Sequence, residues 1–115
     1  FNHRQRLDDG ILIKDNHIVA AGGIAAAVLA AQSGAPHGIK VEIECASMGE
    51  VIEALNAGAE IILLDNMTLD EVTQAVQRIA GRALVEASGG VTLGSVRAIA
   101  ETGVDLISIG ALTHS

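Results

Sequence analysis

The sequence predicts an α/β fold: a parallel sheet built from repeated strand–helix units, part of a (β/α) barrel of the TIM type. Three observations carry that expectation. Short runs rich in Ile, Leu and Val alternate with longer runs of helical period. The links between them are short, so each helix must return the chain to a parallel neighbour by a right-handed crossover. The first strand is followed by VAAGGIAAA, which lacks the spacing of a dinucleotide-binding fingerprint, so a doubly wound nucleotide-binding sheet is the weaker choice. A complete barrel takes about 250 residues. The 115 residues here hold one domain at most, so residues 1–115 are expected to be an incomplete barrel domain.

The elements follow in order. GILIKDNHI places the first strand at Ile11 to Lys14, and the Ala-rich GGIAAAVLAAQSGA, Gly22 to Ala35, is helical. KVEIECA, Lys40 to Ala46, is the second strand. In SMGEVIEALNAGA, Ser47 and Glu50 have the spacing of a capping box, and Gly58 is placed to end the helix. EIILLDN, Glu60 to Asn66, is nearly all apolar, as a strand buried on both faces should be. TLDEVTQAVQRIAG repeats the scheme, with Thr68 and Glu71 as the box and Gly81 as the stop. ALVEASGG, Ala83 to Gly90, is the fourth strand. Thr92 to Gly103 is the last helix, and Asp105 to Ile109 the fifth strand. Val51, Ile52 and Leu55, and then Val72, Val76 and Ile79, recur at three- and four-residue steps, leaving Glu53, Arg78 and Arg82 on outer faces. NAGAEIILLDN (Asn56 to Asn66) and ETGVDLISIGA (Glu101 to Ala111) share an order of glycine, small apolar residue, acid and aliphatic run, as one unit used twice.

Composition removes several classes of function. Fourteen acidic residues against seven basic ones give a net charge of −7, which opposes tracking a nucleic-acid backbone or an acidic membrane surface. With one Phe and no Trp or Tyr, the chain lacks platforms on which single-stranded bases stack. Charged residues or glycines interrupt every apolar run before it reaches the length of a membrane span. The single cysteine, Cys45, cannot form an internal disulfide, so a reducing, cytoplasmic setting is expected. The chain opens without Met or a secretory signal and reads as a piece of something longer.

In a βα barrel the chemistry sits at the C-terminal ends of the strands. Every strand candidate here ends in polar groups: Lys14 to His17, then Glu42 and Glu44 ahead of Cys45, then Asp65-Asn66, then Glu86 to Gly90, then Ser108 to Gly110 with Thr113 and His114. Charged groups in buried strands need partners or cost several kcal/mol by order of magnitude. The first seventeen residues also gather His3, Arg4, Arg6, Lys14 and His17, including three of the seven Lys and Arg, which suits an anionic ligand. Plain structural readings stand beside these. Asp65-Asn66 caps a helix near Thr68 equally well, and Ser88-Gly89-Gly90 is a tight turn as readily as a cradle of backbone N–H groups for a phosphate. Cys45 reads as a packed residue rather than a nucleophile. The histidine spacings match no local zinc motif, whereas Mg2+ held by Glu44 and Asp65 with substrate oxygens fits that ion's taste for carboxylates and phosphates.

NHRQRLDDGILIKDNHI (Asn2 to Ile18), VEIEC (Val41 to Cys45), LLDNM (Leu63 to Met67), EASGGV (Glu86 to Val91) and SIGALTHS (Ser108 to Ser115) together resemble the barrel domain of the quinolinate phosphoribosyltransferase family. The blocks run in order along the whole chain. The resemblance implies a pentosyltransferase that joins quinolinate to phosphoribosyl pyrophosphate with Mg2+. It would release pyrophosphate and carbon dioxide and yield nicotinate mononucleotide for NAD synthesis. By position it implies that His3, Arg4 and Lys14 hold the two quinolinate carboxylates, where a guanidinium fork matches a carboxylate. It implies Glu44 and Asp65 on the ribose hydroxyls and the Mg2+. Ser88, Gly89, Gly90 and Gly110 would cradle the 5′-phosphate, with His114 close by. Lys14, Glu44 and Asp65 form the implied catalytic set. Family members are longer, carry an N-terminal domain with further basic residues, and work as homodimers or higher homo-oligomers in which a neighbour closes the site. Three other readings stand beside it: a paralogue of the same fold found with molybdenum transport genes, a noncatalytic fragment that only binds a phosphorylated ligand, and a different phosphate-binding βα barrel such as an isomerase or aldolase, the aldolase opposed by the lack of any sequence sign of an apolar pocket around Lys14.

Overall fold

The computed structural model describes residues 10–13, 22–36, 38–88 and 93–108. Among these, strands and helices alternate: β1 (Gly10–Ile13), α1 (Ile24–Gly34), β2 (Lys40–Cys45), α2 (Met48–Ala57), β3 (Ile61–Asp65), α3 (Leu69–Ile79), β4 (Leu84–Ser88), α4 (Leu93–Glu101) and β5 (Leu106–Ser108). All neighbouring strands pair in parallel, in the spatial order β1-β2-β3-β4-β5. A doubly wound sheet reverses its strand order at a switch point. This sheet does not reverse, and right-handed crossovers in one direction bring every helix to the same face. The α/β fold with parallel strands read from the sequence is the fold observed.

Strand period two divides the sheet into two faces. Ile13, Val41, Ile43, Cys45, Ile62, Leu64 and Val85 form one core with Val28 of α1, Val51 and Ala54 of α2, and Val72, Ala75 and Ile79 of α3. Ala87 and Ile107 continue it beneath Ile99 of α4. Helical spacing points to Ile52, Leu55 and Val76 as core residues, yet these are only partly buried, while Ala54 and Ala75 are fully buried. A small residue at the sheet contact lets the helix lie close, and its larger neighbours then pack along the flanks.

The helix ends show which local signals act as expected. Thr68 and Glu71 form the complete capping box: Glu71 N–H donates to Thr68 Oγ1 (3.2 Å) and Thr68 N–H donates to Glu71 Oε1 (2.9 Å). At α2 the Ser47 hydroxyl accepts from Glu50 N–H, but the Glu50 carboxylate reaches back one residue further, to Ala46 N–H at 2.7 Å. Gly58 ends α2 in the left-handed region at φ 91° and donates to the carbonyls of Ala54 and Leu55. At α3 the stop falls one residue earlier than Gly81: Ala80 itself is left-handed at φ 49°. Arg82, expected on the solvated face, folds its guanidinium back onto the carbonyls of Ile79 and Arg78, at 3.3 and 3.1 Å. Both carbonyls lie at the helix end, where a cation sits favourably; that of Ile79 also accepts from Arg82 N–H at 3.0 Å.

The internal echo has a common structural meaning. Glu60 and Asp105, expected as the first residues of their strands, stand just ahead of β3 and β5. Glu60 Oε1 accepts from Val41 N–H and Asp105 Oδ2 from Val85 N–H, both at 2.8 Å. In each case the acid's own N–H donates to the carbonyl of the same valine. One acid per unit thus satisfies an amide near the start of the preceding strand. Among the described residues no helix is long and apolar enough to cross a membrane.

Candidate active site

The face of the sheet turned away from the helices holds the polar groups. Strand register stacks its side chains in three layers. The lowest contains Leu12, Glu42, Ile61 and Leu84. The middle one contains Glu44, Leu63, Glu86 and Leu106. The top one contains Asp65, Ser88 and Ser108. Polarity rises toward the C-terminal ends of the strands, from one acid among four, to two among four, to a top layer whose described strand residues, Asp65, Ser88 and Ser108, are all polar. That is the end at which a βα barrel does its chemistry.

Asp65 closes β3, half-buried, and its carboxylate makes no hydrogen bond among the described residues. The reading of Asp65-Asn66 as a helix cap therefore fails, because Thr68 and Glu71 do that work. Asn66, which follows, turns the chain through the left-handed region at φ 59°, a conformation that Asn tolerates better than most residues. Glu44 lies on the adjacent strand, one layer lower, opposite Leu63. Strand spacing and rise set the two backbone positions about 8 Å apart, so both carboxylates can approach one group between them. Ser88, half-buried, stands beside Asp65 on β4. The register thus brings Glu44, Asp65 and Ser88 together on one face of the sheet. His3, Arg4, Arg6, Lys14, His17, His37, Gly89, Gly90, Gly110, Thr113 and His114 lie outside the described residues.

Two members of this face went without a role in the sequence reading. Glu86 is 1% exposed, and Glu42 is 2% exposed. Glu86 Oε2 accepts a hydrogen bond from the Ser108 hydroxyl on the neighbouring strand, while Oε1 is buried with no hydrogen-bond partner among the described residues. The signal was present in the sequence: Glu86 lies two residues before Ser88, so period two alone sets both on one face.

Cys45 is on the opposite, helix-facing side, fully buried. Burial pushes its thiol up to about 12, helped by the nearby Glu50, Glu44 and Glu53. A thiol so held stays protonated at neutral pH and is no nucleophile. Among the described residues no group of three or more His, Cys, Asp or Glu side chains is arranged to hold a metal ion. Any ion here would take no more than one or two carboxylates from this face and draw its other oxygens from a ligand, which is the usual habit of Mg2+. Glu44 and Asp65 fit that requirement.

Comparison with known proteins identifies the family. The family model for the C-terminal domain of quinolinate phosphoribosyl transferase matches residues 1–115. A Bacillus subtilis protein named as a probable nicotinate-nucleotide pyrophosphorylase (carboxylating) is 44% identical over 115 residues, which is 100% of this chain and 40% of that protein. The human nicotinate-nucleotide pyrophosphorylase (carboxylating) is 40% identical over 117 residues, 99% of this chain and 39% of its own length. The crystal structure of nicotinate-nucleotide pyrophosphorylase from Ehrlichia chaffeensis superposes with a TM-score of 0.84 at 42% identity, covering 92% of this chain and 38% of that one. The chain thus spans about two fifths of the length of the relatives it matches. Its acid-lined strand ends, its five ordered motifs and a family match along all its residues lead to one conclusion: the chain belongs to the quinolinate phosphoribosyltransferase family, within the C-terminal domain.

Proposed function

We propose that this chain supplies the catalytic barrel face of a quinolinate phosphoribosyltransferase, which makes nicotinate mononucleotide for NAD synthesis. The observation that carries the reading is the top layer, where the Asp65 carboxylate has no hydrogen-bond partner among the described residues and stands beside Ser88, with Glu44 one layer below on the other side. In the reaction the pyridine nitrogen of quinolinate forms a bond to the sugar carbon. The bond from that carbon to pyrophosphate breaks, and pyrophosphate departs with the electron pair. The carboxylate next to the ring nitrogen then leaves as carbon dioxide, and the ring carbon takes a proton in its place. No protein nucleophile is needed, so the site works by orientation and electrostatics.

The roles follow from charge and position. His3, Arg4 and Lys14 hold the dianionic quinolinate. Glu44 and Asp65 hold the ribose hydroxyls and stabilise the positive charge that grows on the sugar as pyrophosphate leaves. Ser88 begins the turn whose Gly89 and Gly90, with Gly110 and His114, receive the 5′-phosphate. Bound Mg2+ would be held by Glu44 and Asp65 and would neutralise charge on the pyrophosphate oxygens. The single, buried, unpaired thiol suits a reducing cytoplasm, and the intact protein is taken to work as a homodimer or higher homo-oligomer, as the family resemblance implies.

Calorimetric titration of the intact protein with quinolinate tests the reading. Saturable binding is expected, and Arg4→Ala should raise the quinolinate KM sharply while sparing that for phosphoribosyl pyrophosphate. Equal loss for both substrates would remove Arg4 from the dianion site, and absence of quinolinate binding by the wild type would remove the reading.

A further inference from the structure

We propose that Glu86 is a further substrate-binding residue: its Oε1 accepts a hydrogen bond from a sugar hydroxyl of the phosphoribosyl substrate while its Oε2 holds the Ser108 hydroxyl. This inference rests on the phosphoribosyl-transfer reading given above.

The position of Glu86 asks for an explanation. Its register neighbours on either side are Leu63 and Leu106. An aliphatic side chain would fill the same layer without taking a carboxylate out of water, a step that costs several kcal/mol by order of magnitude. One hydrogen bond, from Ser108, does not satisfy a group that accepts at two oxygens. The second oxygen is buried and has no donor among the described residues. Buried polar atoms left in that state are rare and call for a specific cause.

The surroundings point to the donor. Directly above Glu86 in the layer order stand Ser88 on its own strand, Ser108 on one side and Asp65 on the other. All three side chains are short, so the approach from the C-terminal ends of the strands passes small groups. Asp65 sits over Leu63, laterally between Glu44 and Glu86, with each of those acids one layer below it on an adjacent strand. A polyhydroxylated ring resting on Asp65 therefore has an acid on each flank. A hydroxyl delivered to the dry Oε1 displaces no bulk water from it, so the bond is gained nearly in full. A phosphate could not serve, because a carboxylate without a proton repels it. The expected partner is a neutral donor, a sugar hydroxyl.

Glu86→Gln in the intact protein tests this. The amide has nearly the shape of the carboxylate, but it removes the charge and replaces one acceptor oxygen with an NH2 donor, so no charged acceptor is left for the sugar hydroxyl. Affinity for ribose 5-phosphate should fall about tenfold to a hundredfold, the usual effect of losing a bond to a charged acceptor. The KM for phosphoribosyl pyrophosphate should rise with it, while inorganic phosphate binding and the quinolinate KM stay within about twofold. If ribose 5-phosphate and inorganic phosphate weaken together, Glu86 only supports the strands and the inference is overturned. Unchanged ribose 5-phosphate affinity overturns it too. Should Glu86→Gln fail to fold, Ser108→Ala decides: it frees Oε2 and unseats the carboxylate, so ribose 5-phosphate must weaken selectively, and no change refutes the proposal. A wild-type protein that binds no ribose 5-phosphate would instead bring down the phosphoribosyl-transfer reading itself.

Discussion

Asp105→Ala should destabilise the intact protein by about 1.5–3 kcal/mol, the cost of stranding a donor that had a charged acceptor. The structure sets that magnitude. Asp105 Oδ2 accepts from Val85 N–H at 2.8 Å in a part-buried setting, and removal leaves that amide without its side-chain partner beneath the sheet. The backbone bond from Asp105 N–H to the Val85 carbonyl survives, which keeps the loss below that of a broken strand pair. Asp105→Asn retains an acceptor oxygen and should lose less than about 1 kcal/mol. Glu60→Ala should repeat the effect at Val41 N–H, where the bond is also 2.8 Å. The two acids share no partner, so the double variant should sum the single losses to within about 0.5 kcal/mol. Urea unfolding gives the free energies, and amide hydrogen exchange locates them: Val85 should exchange faster in Asp105→Ala, and Val41 in Glu60→Ala. A loss under about 0.5 kcal/mol with unaltered exchange at Val85 would refute the claim that these acids hold the strand starts.

Asp65→Asn should lower kcat by roughly a hundredfold, since a charge about 5 Å from the sugar carbon is worth about 3 kcal/mol at an effective dielectric near 20; steady-state kinetics would contradict this if kcat were unchanged. Ala80→Gly should stabilise by about 0.5–1 kcal/mol, because the left-handed conformation at φ 49° costs alanine more than glycine's extra freedom costs the folded state; denaturant midpoints check it. The raised thiol pKa of Cys45 has a signed consequence. The folded state keeps its proton from about pH 9 to about 12 while the unfolded state has lost it, so this contribution to stability is full below pH 9 and declines above it, by up to about 1.4 kcal/mol per unit. Cys45→Ala should remove that part of the alkaline decline, and thiol labelling of the wild type at neutral pH should proceed no faster than unfolding.

The order of elements was legible because the periods differ so sharply: IILL reads as a buried strand, and EVTQAVQRIA reads as an amphipathic helix. Thr68, Glu71 and Gly58 act as their local chemistry dictates. What escaped depends on tertiary distance. No local pattern says that Ala54 rather than Ile52 meets the sheet, because helix-to-sheet spacing decides it. Ala80 takes the left-handed stop ahead of Gly81, although glycine is the better residue for it. The site was half legible. Asp65 and Ser88 follow from the rule that strand ends carry function, but separating a strand-end Asp65 from a helix cap required seeing Thr68 fill the cap. Glu86 was named as a strand-end residue and given no role, because only the neighbouring strand reveals that Ser108 satisfies one of its oxygens and leaves the other.

The most direct test of the central claim is product formation by the intact protein supplied with quinolinate, phosphoribosyl pyrophosphate and Mg2+, following nicotinate mononucleotide and carbon dioxide together. The account predicts equal amounts of the two, formed only when both substrates are present and strongly reduced in Asp65→Asn. Carbon dioxide without the nucleotide, or a wild-type rate no greater than that of the Asp65→Asn variant, would contradict it.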